Sequence, residues 1–287
     1  MTFLILAIVS STCNHLLFKA FARLRIDLLS AIVVNYAVCV VIGYNASGAS
    51  FARSSIFIQD WYPFSVIQGA VFVVCLLLIG RTTEKQGVSV ASLATRLSVA
   101  IPAFTAFLLY DDLVSASKIT GILAALLALY LSCIDFRGSA DPFRLGSMLP
   151  LALFTAFGTH ATLVKFVQEK FLGSTSYHVY VMAAFLSAFL ISGSILAWRL
   201  FKKQQACRWR DLISGLALGF SNYGSVYFLI RALSVTGWQS SQLFPTISIA
   251  VLSLSSLGAW AFFNERLHRR MIGALAIGAG SIVLVNL

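Results

Sequence analysis

Residues 69–100, GAVFVVCLLLIGRTTEKQGVSVASLATRLSVA, and residues 219–250, GFSNYGSVYFLIRALSVTGWQSSQLFPTISIA, read as two versions of one passage. At an offset of 150 residues Gly69, Arg81, Gly87, Leu93, Ser98 and Ala100 fall on Gly219, Arg231, Gly237, Leu243, Ser248 and Ala250. Two residues of slippage later, Gly121, Leu123 and Ala124 fall on Gly273, Leu275 and Ala276. Working outward, each copy holds about five apolar segments of bilayer length. Five is odd, so the second copy must enter the membrane upside down relative to the first. Inverted repeats of this kind are how many carriers are built, with the binding site near the midplane where the copies meet.

Composition agrees. The chain has 287 residues, 59% hydrophobic and 11% charged, with a mean hydropathy of +0.88. Soluble domains average about 25% charged residues. Little is left over for a separate soluble domain, since the longest polar gaps are short loops. Formal net charge is +11, but the basic residues lie between apolar segments rather than on one face. That is the positive-inside pattern, and no nucleic-acid partner is expected. Cys13, Cys39, Cys75 and Cys133 fall within apolar segments and Cys207 in a basic loop, without a CxxC pair or Cys/His cluster, so no metal or cofactor is expected. Ala20-Phe21-Ala22 resembles a signal-peptide cleavage site. No basic region precedes the apolar run, however, and the polar stretch from Ser10 to His15 interrupts it, so residues 2–22 are read as a membrane helix.

The pattern predicts an all-α integral membrane protein with ten spans, at about 2–22, 28–46, 62–80, 87–110, 116–134, 147–167, 177–198, 211–231, 238–262 and 268–286. Residues 1–135 form the first five-helix repeat and 146–287 the second, joined by a connection rich in turn residues. Counting residues near span ends with the adjoining connection, fifteen Lys/Arg go with the connections after spans 1, 3, 5, 7 and 9, five with the others, and Arg96 lies inside span 4. This bias puts the fifteen in the cytoplasm and both termini outside. Equivalent connections carry opposite loads: Arg53 alone follows span 2, whereas Arg199, Lys202, Lys203, Arg208 and Arg210 follow span 7. A cysteine placed at position 203 is therefore expected to resist labelling from outside intact cells; ready labelling there would reverse the orientation.

The stretch Gly237-Trp238-Gln239-Ser240-Ser241-Gln242-Leu243-Phe244-Pro245, an apolar helix, then Asn264-Glu265-Arg266-Leu267 and Gly273 resembles the end of a repeat in the drug/metabolite transporter superfamily, EamA type. The first copy is similar: Gly87 leads through Arg96 and Pro102 to Tyr110-Asp111-Asp112-Leu113 and Gly121, with Asp112 where the family usually has Glu. The resemblance covers essentially the whole chain. It implies a ten-helix carrier of small organic solutes such as amino acids, drugs or nucleotide sugars. Ten-helix members usually keep both termini in the cytoplasm, opposite to the charge count here.

Among polar residues inside the spans, Arg96 comes first. It lies roughly 13 Å from the nearer end of its helix at 1.5 Å per residue. A charge at helix centre costs about 2.5–3.5 kcal/mol on insertion scales, so it should face a cavity or a partner. All ten Asp/Glu lie in loops or at helix ends. Arg96 is then either a structural tie to carbonyls and to Asn or Tyr side chains, or a cationic wall that grips a carboxylate or phosphate through two parallel hydrogen bonds. The second reading makes the substrate an anionic or carboxylate-bearing metabolite. Further candidate binding residues are Asn14, His15, Asn35, Gln68, His160, Asn222, Tyr223, Gln239 and Gln242. Gln239, Gln242 and Thr246 recur on one helical face, and Thr246 matches Arg96 across the repeat. A lone membrane histidine is more often a hydrogen-bonding strut; if transport is proton-coupled, His15 and His160 are the mid-membrane groups suited to it, His160 first, with exchange or facilitated diffusion equally open. Interhelical bonding is the plainer role for each Asn or Gln. Tyr62 and Tyr177 read as interface anchors, and Gly69, Gly215, Gly219 and Gly224 as sites of close helix packing.

An enzyme is not expected, since no HExxH, intrahelical Asp pair or Ser–His pairing is evident. A lipid flippase or scramblase on the same architecture is the alternative to a solute carrier. The expected partners are a small-molecule substrate and the bilayer; the oligomeric state, homo-oligomers included, is left open.

Overall fold

The computed structural model describes residues 1–47, 58–86, 88–109, 115–133, 148–172, 177–202, 208–235, 237–263 and 269–286. Gly87, Tyr110-Asp111-Asp112-Leu113, the connection over 135–146, Asn264-Glu265-Arg266-Leu267, Arg53 and Lys203 lie outside them. The elements are α-helices: α1 Thr2–Leu24, α2 Leu28–Ser47, α3 Tyr62–Gln86, α4 Val88–Leu97, α5 Ala100–Leu109, α6 Ala116–Cys133, α7 Leu149–Lys170, α8 Tyr177–Phe201, α9 Trp209–Val235, α10 Ser240–Phe263 and α11 Arg269–Asn286. By length and composition seven of them, α1 to α3 and α7 to α10, are fit to cross a bilayer. Shorter apolar stretches, Ala116–Leu131 and Ile272–Leu284, lie in α6 and α11. The protein is helical and membrane-embedded.

One expected span is not a single helix. The segment 87–110 breaks at Ser98 and Val99 into α4 and α5. Pro102 is the cause. It has no N–H to give the Ser98 carbonyl, and its ring crowds that oxygen. The carbonyl instead takes the Ile101 N–H at 3.0 Å, and the Val99 N–H turns to the Arg96 carbonyl at 3.4 Å. The Ser98 hydroxyl donates to the Thr95 carbonyl at 2.7 Å. Pro102 thus falls in the first turn of a new helix, where a missing N–H costs nothing.

Other boundaries shift outward. α3 continues past 80, so Arg81 is a helical rather than a loop residue, and α9 continues past Arg231, the last residue of its expected span. Lys118, in the first turn of α6, and Lys165, within α7, stand inside their expected spans. α9 stops just short of Gly237, whose φ of +69° is a conformation glycine adopts without strain.

The helices form two packing units, Met1–Val73 with Phe166–Thr236, and Val74–Lys165 with Gly237–Leu287. They are not the two sequence copies; each unit draws helices from both. In the first unit α2 packs on α8 and α9, and α1 on α9. Glycines set the approach. A Cβ on Gly219 would lie 2.5 Å from Val38 Cβ and 3.0 Å from the Asn35 carbonyl oxygen. One on Gly69 would lie 2.7 Å from the Ala184 oxygen and 2.8 Å from Ala188 N. Gly215 and Gly224 meet Ala31 and Ser10 as closely. The core above them is aromatic: Phe72 stacks on Phe185 at 5.2 Å, and Tyr36 lies 5.8 Å from the same ring.

One end of this unit is tied by two carboxylates. Asp27 caps α2 by accepting the Ser30 N–H at 3.1 Å, and it pairs with Arg199 of α8 at 3.2 Å. Buried Asp211, third residue of α9, accepts the Arg208 N–H and the Asp27 N–H, both at 2.9 Å. The first of these is the reach-back of a capping box; the second ties the α1–α2 turn to α9. Asp211→Ala leaves two part-buried N–H groups without their acceptor, at up to about 1–3 kcal/mol each where water does not replace it. A clear fall in melting temperature in detergent is expected, with Asp211→Asn intermediate. An alanine variant that melts like the parent would mean water replaces the carboxylate.

In the second unit α6 packs on α11, and α10 on α5, α6 and α11. A Cβ on Gly278 of α11 would lie 2.8 Å from Ile249 and 3.7 Å from Ala128. Ala91 and Ala94 of α4 pack with Leu153 of α7, with Leu78, Ile79, Phe154 and Phe157 around them.

Candidate functional site

The break between α4 and α5 is held from both sides by α7. Ahead of it, Ala91 and Ala94 seat on Leu153. Behind it, Ile101 fills the notch at Gly158, where a Cβ would come within 2.2 Å of the Ile101 side chain. One turn further on, the Thr105 and Thr162 hydroxyls meet at 3.5 Å. The interruption is therefore fixed by packing, not frayed. Arg96, half-buried, sits in the last turn of α4, where the helix dipole favours a cation. Four residues later α5 begins at Ala100; the Val99 and Ile101 N–H groups are taken by the Arg96 and Ser98 carbonyls and Pro102 has none, which leaves the Ala100 N–H and the dipole of α5 to favour an anion there. A guanidinium and a helix start flanking an unwound turn can together receive a carboxylate.

His160 lies on α7 two residues beyond the Gly158 notch and is half-buried. Thr246, in the second turn of α10, is buried, and its hydroxyl oxygen has no hydrogen-bond partner among the described residues. The two glutamines are placed differently from expectation. Gln239 precedes α10 instead of lying on it, so the expected three-residue face reduces to Gln242 and Thr246. The Gln242 side-chain Oε1 accepts the Gln239 backbone N–H at 3.2 Å. Buried Lys118, in the first turn of α6, donates its ammonium to the Gln239 side chain. Both glutamines serve the start of the helix, which needs acceptors for its N–H groups.

The remaining candidates fall in the first unit. Asn14 donates to Ser225 Oγ at 3.1 Å, and that hydroxyl donates to the Asn222 carbonyl at 2.8 Å. Asn35 is buried at the α2–α9 contact and accepts the Cys39 thiol at 3.8 Å. Gln68 is buried in α3. His15 points to the exposed side of α1, away from the face of Asn14. Cys13, expected to be buried, is exposed as well, while Cys39 and Cys75 are buried. Tyr223 joins a cluster that sequence reasoning missed. Its hydroxyl lies 2.7 Å from His178 Nδ1, and the His178 ring stacks on Tyr227 at 4.1 Å. One turn beyond, the Arg231 guanidinium lies 4.8 Å from the Phe3 ring centre and 5.5 Å from that of Tyr177. Such contacts hold a cation at roughly 0.5–2 kcal/mol each. Tyr177 is buried, so it is not an interface anchor. Two signals pointed here: Tyr223, Tyr227 and Arg231 recur every fourth residue on one helical face, and the repeat pairs Arg231 with Arg81.

No family model matches the chain. An uncharacterized protein of Haemophilus influenzae is 24% identical over 272 residues, spanning 93% of this chain and 91% of the relative. A solved protein crystal structure, 14% identical, superposes with a TM-score of 0.78 over 99% of this chain and 94% of its own; the likeness is one of fold.

Proposed function

We propose that the protein is a membrane carrier of small, carboxylate-bearing organic metabolites, amino acids among them, and a member of the drug/metabolite transporter superfamily of EamA type. The observation that carries this is the discontinuous helix, with Arg96 closing its first half and Pro102 in the first turn of its second. Carriers use interrupted membrane helices to bring helix ends and freed backbone groups to a solute. Non-helical backbone at membrane depth is tolerated where protein covers it or a cavity adjoins it.

In this reading the ten spans form two inverted repeats, with the α4–α5 pair as the fourth span. What supports it is a set of contacts that recur under the repeat. Gly69 of α3 meets Ala184 and Ala188 of α8; Gly219 of α9 meets Asn35 and Val38 of α2. Subtracting the repeat offset from one set returns the other within a residue. Repeat-equivalent helices also pack together: α2 with α8, α5 with α10, α6 with α11. Both termini lie outside the cytoplasm, as the charge bias requires.

Purified protein in liposomes is expected to exchange labelled amino acids or related carboxylates across the bilayer. Absence of exchange for a broad carboxylate panel, with only lipid movement seen, would replace this reading with a flippase. Pro102→Ala returns an N–H to the Ser98 carbonyl and lets the helix close. It should raise the melting temperature and slow exchange. A stabilised variant that transports at the parent rate would remove the break from the mechanism.

A further inference from the structure

At the end of the first unit that carries the Asp27–Asp211 tie, a cavity of about 370 Å³ opens between the close of α1 and the start of α9. Arg25, Arg208 and Arg210 line it, together with Trp209 and Leu24. Among the described residues none of these three guanidinium groups pairs with a carboxylate. The acid in the wall, Asp211, is spent on backbone: one oxygen takes the Asp27 N–H and the other the Arg208 N–H. The neighbouring Asp27 is taken by Arg199 and by the α2 cap. The cavity therefore keeps a net positive charge that its own walls do not neutralise.

Two further observations say what suits it. Trp209 is 72% exposed and Leu24 57% exposed, so the lining offers large apolar groups alongside the cations. Arg25 is held at φ 51°, ψ 47°, the left-handed position that closes α1. Glycine is the usual residue there and arginine is strained in it; the chain keeps a cation at that strained position.

We infer that this cavity binds the phosphodiester of an anionic phospholipid, with Arg25, Arg208 and Arg210 on the phosphate and Trp209 and Leu24 along the glycerol and upper acyl chain. Guanidinium groups match phosphate oxygens through paired N–H donors, and basic pockets between membrane helices are sites of this kind. The same phosphate chemistry is offered by a soluble phosphate ester, but that has no use for the tryptophan and leucine. The inference is independent of the carrier reading.

The test is melting of the full-length protein in neutral detergent with added phosphatidylglycerol, phosphatidylcholine or inorganic phosphate. Phosphatidylglycerol is expected to raise the melting temperature and phosphatidylcholine not to. Each arginine near an anionic surface contributes roughly fivefold, so R25Q/R208Q/R210Q together should weaken the phosphatidylglycerol effect about 100-fold. Lys202→Gln, a control at an exposed lysine seated on the Trp198 ring, should leave it intact. Arg25→Gly should raise the lipid-free melting temperature and shrink the lipid increment, opposite changes that a purely structural role for Arg25 does not produce. A shift fully reproduced by inorganic phosphate would overturn the lipid in favour of a soluble phosphate. No shift, or an equal shift in the triple variant, would overturn the site. Should the triple variant fail to fold, quenching of tryptophan by phosphatidylglycerol with brominated chains still decides: loss of most quenching in Trp209→Phe supports the site, and unchanged quenching refutes it.

Discussion

Arg96→Ala is expected to cut carboxylate exchange by about 100-fold or more while the purified protein keeps its helical content and melts close to the parent. A mid-span cation costs about 2.5–3.5 kcal/mol to place, so deleting it does not remove a pillar of stability. Its paired hydrogen bonds to an anionic solute are worth about 1.5–3 kcal/mol each, and every 1.4 kcal/mol is tenfold in affinity. Arg96→Lys keeps the charge but not the fork, and should fall between. Measured exchange across liposomes, set beside the thermal melt, separates the roles. A variant that folds and transports normally would make Arg96 a structural tie. One that unfolds would do the same, since the residue would then be needed by the helices and not by the solute.

Gly69→Ala is expected to be among the most damaging single methyl additions to this chain. The new Cβ would lie 2.6 Å from Ser187 Cβ, 2.7 Å from the Ala184 oxygen and 2.8 Å from Ala188 N. Two of the three are backbone atoms, which cannot swing aside, so α3 and α8 must part. Overpacking of this sort costs about 1–3 kcal/mol, occasionally more. Gly193 of α8 provides the comparison, because nothing lies within 4 Å of its would-be Cβ. There alanine should stabilise by up to about 1 kcal/mol through helix propensity alone. Gly219→Ala, facing Val38 side-chain atoms and one carbonyl oxygen, should resemble Gly69→Ala. Melting curves of the three variants decide it. If Gly69→Ala and Gly193→Ala melt together, the close approach of α3 to α8 is not what the structure describes.

Much of the architecture was legible because lipid leaves few choices. Long apolar runs must be helices, and seven of the expected spans stand as helices of bilayer length. The glycines at 69, 215, 219 and 224 were legible for the same reason: small residues in a membrane helix mark contacts. The break at Ser98 and Val99 was only half legible. Pro102 predicts a bend, yet Pro245, also well inside an expected span, sits in the unbroken α10. The difference lies in position. Only one turn of helix precedes Pro245, whereas Pro102 follows a full ten-residue helix, so a fresh start at Ala100 absorbs it.

The site residues were less legible than the spans. Gln239 and Gln242 were read from periodicity, but the helix begins one residue later than the pattern, and the pair serves its first turn. Arg231 and Lys118 were counted with the connections in the charge tally, although each stands near the end of an expected span. The structure keeps both in helices, Arg231 against aromatic rings and Lys118 against Gln239. His178 carried no signal of its own; its partners Tyr223 and Tyr227 lie more than forty residues away.

Each packing unit takes helices from opposite halves of the chain, and this dictates the order in which the molecule can mature. Phe3 finds Phe228 and Arg231, and Asp27 finds Asp211, only after some two hundred further residues have left the ribosome. At 5–20 residues per second, the earliest helices wait roughly ten seconds or more in the translocon's vicinity without their final neighbours. A nascent chain stalled before α9 is thus a substrate for membrane quality control, not half a protein. Two separately synthesised halves, cut within 135–146, should each be degraded alone and rescued when made together.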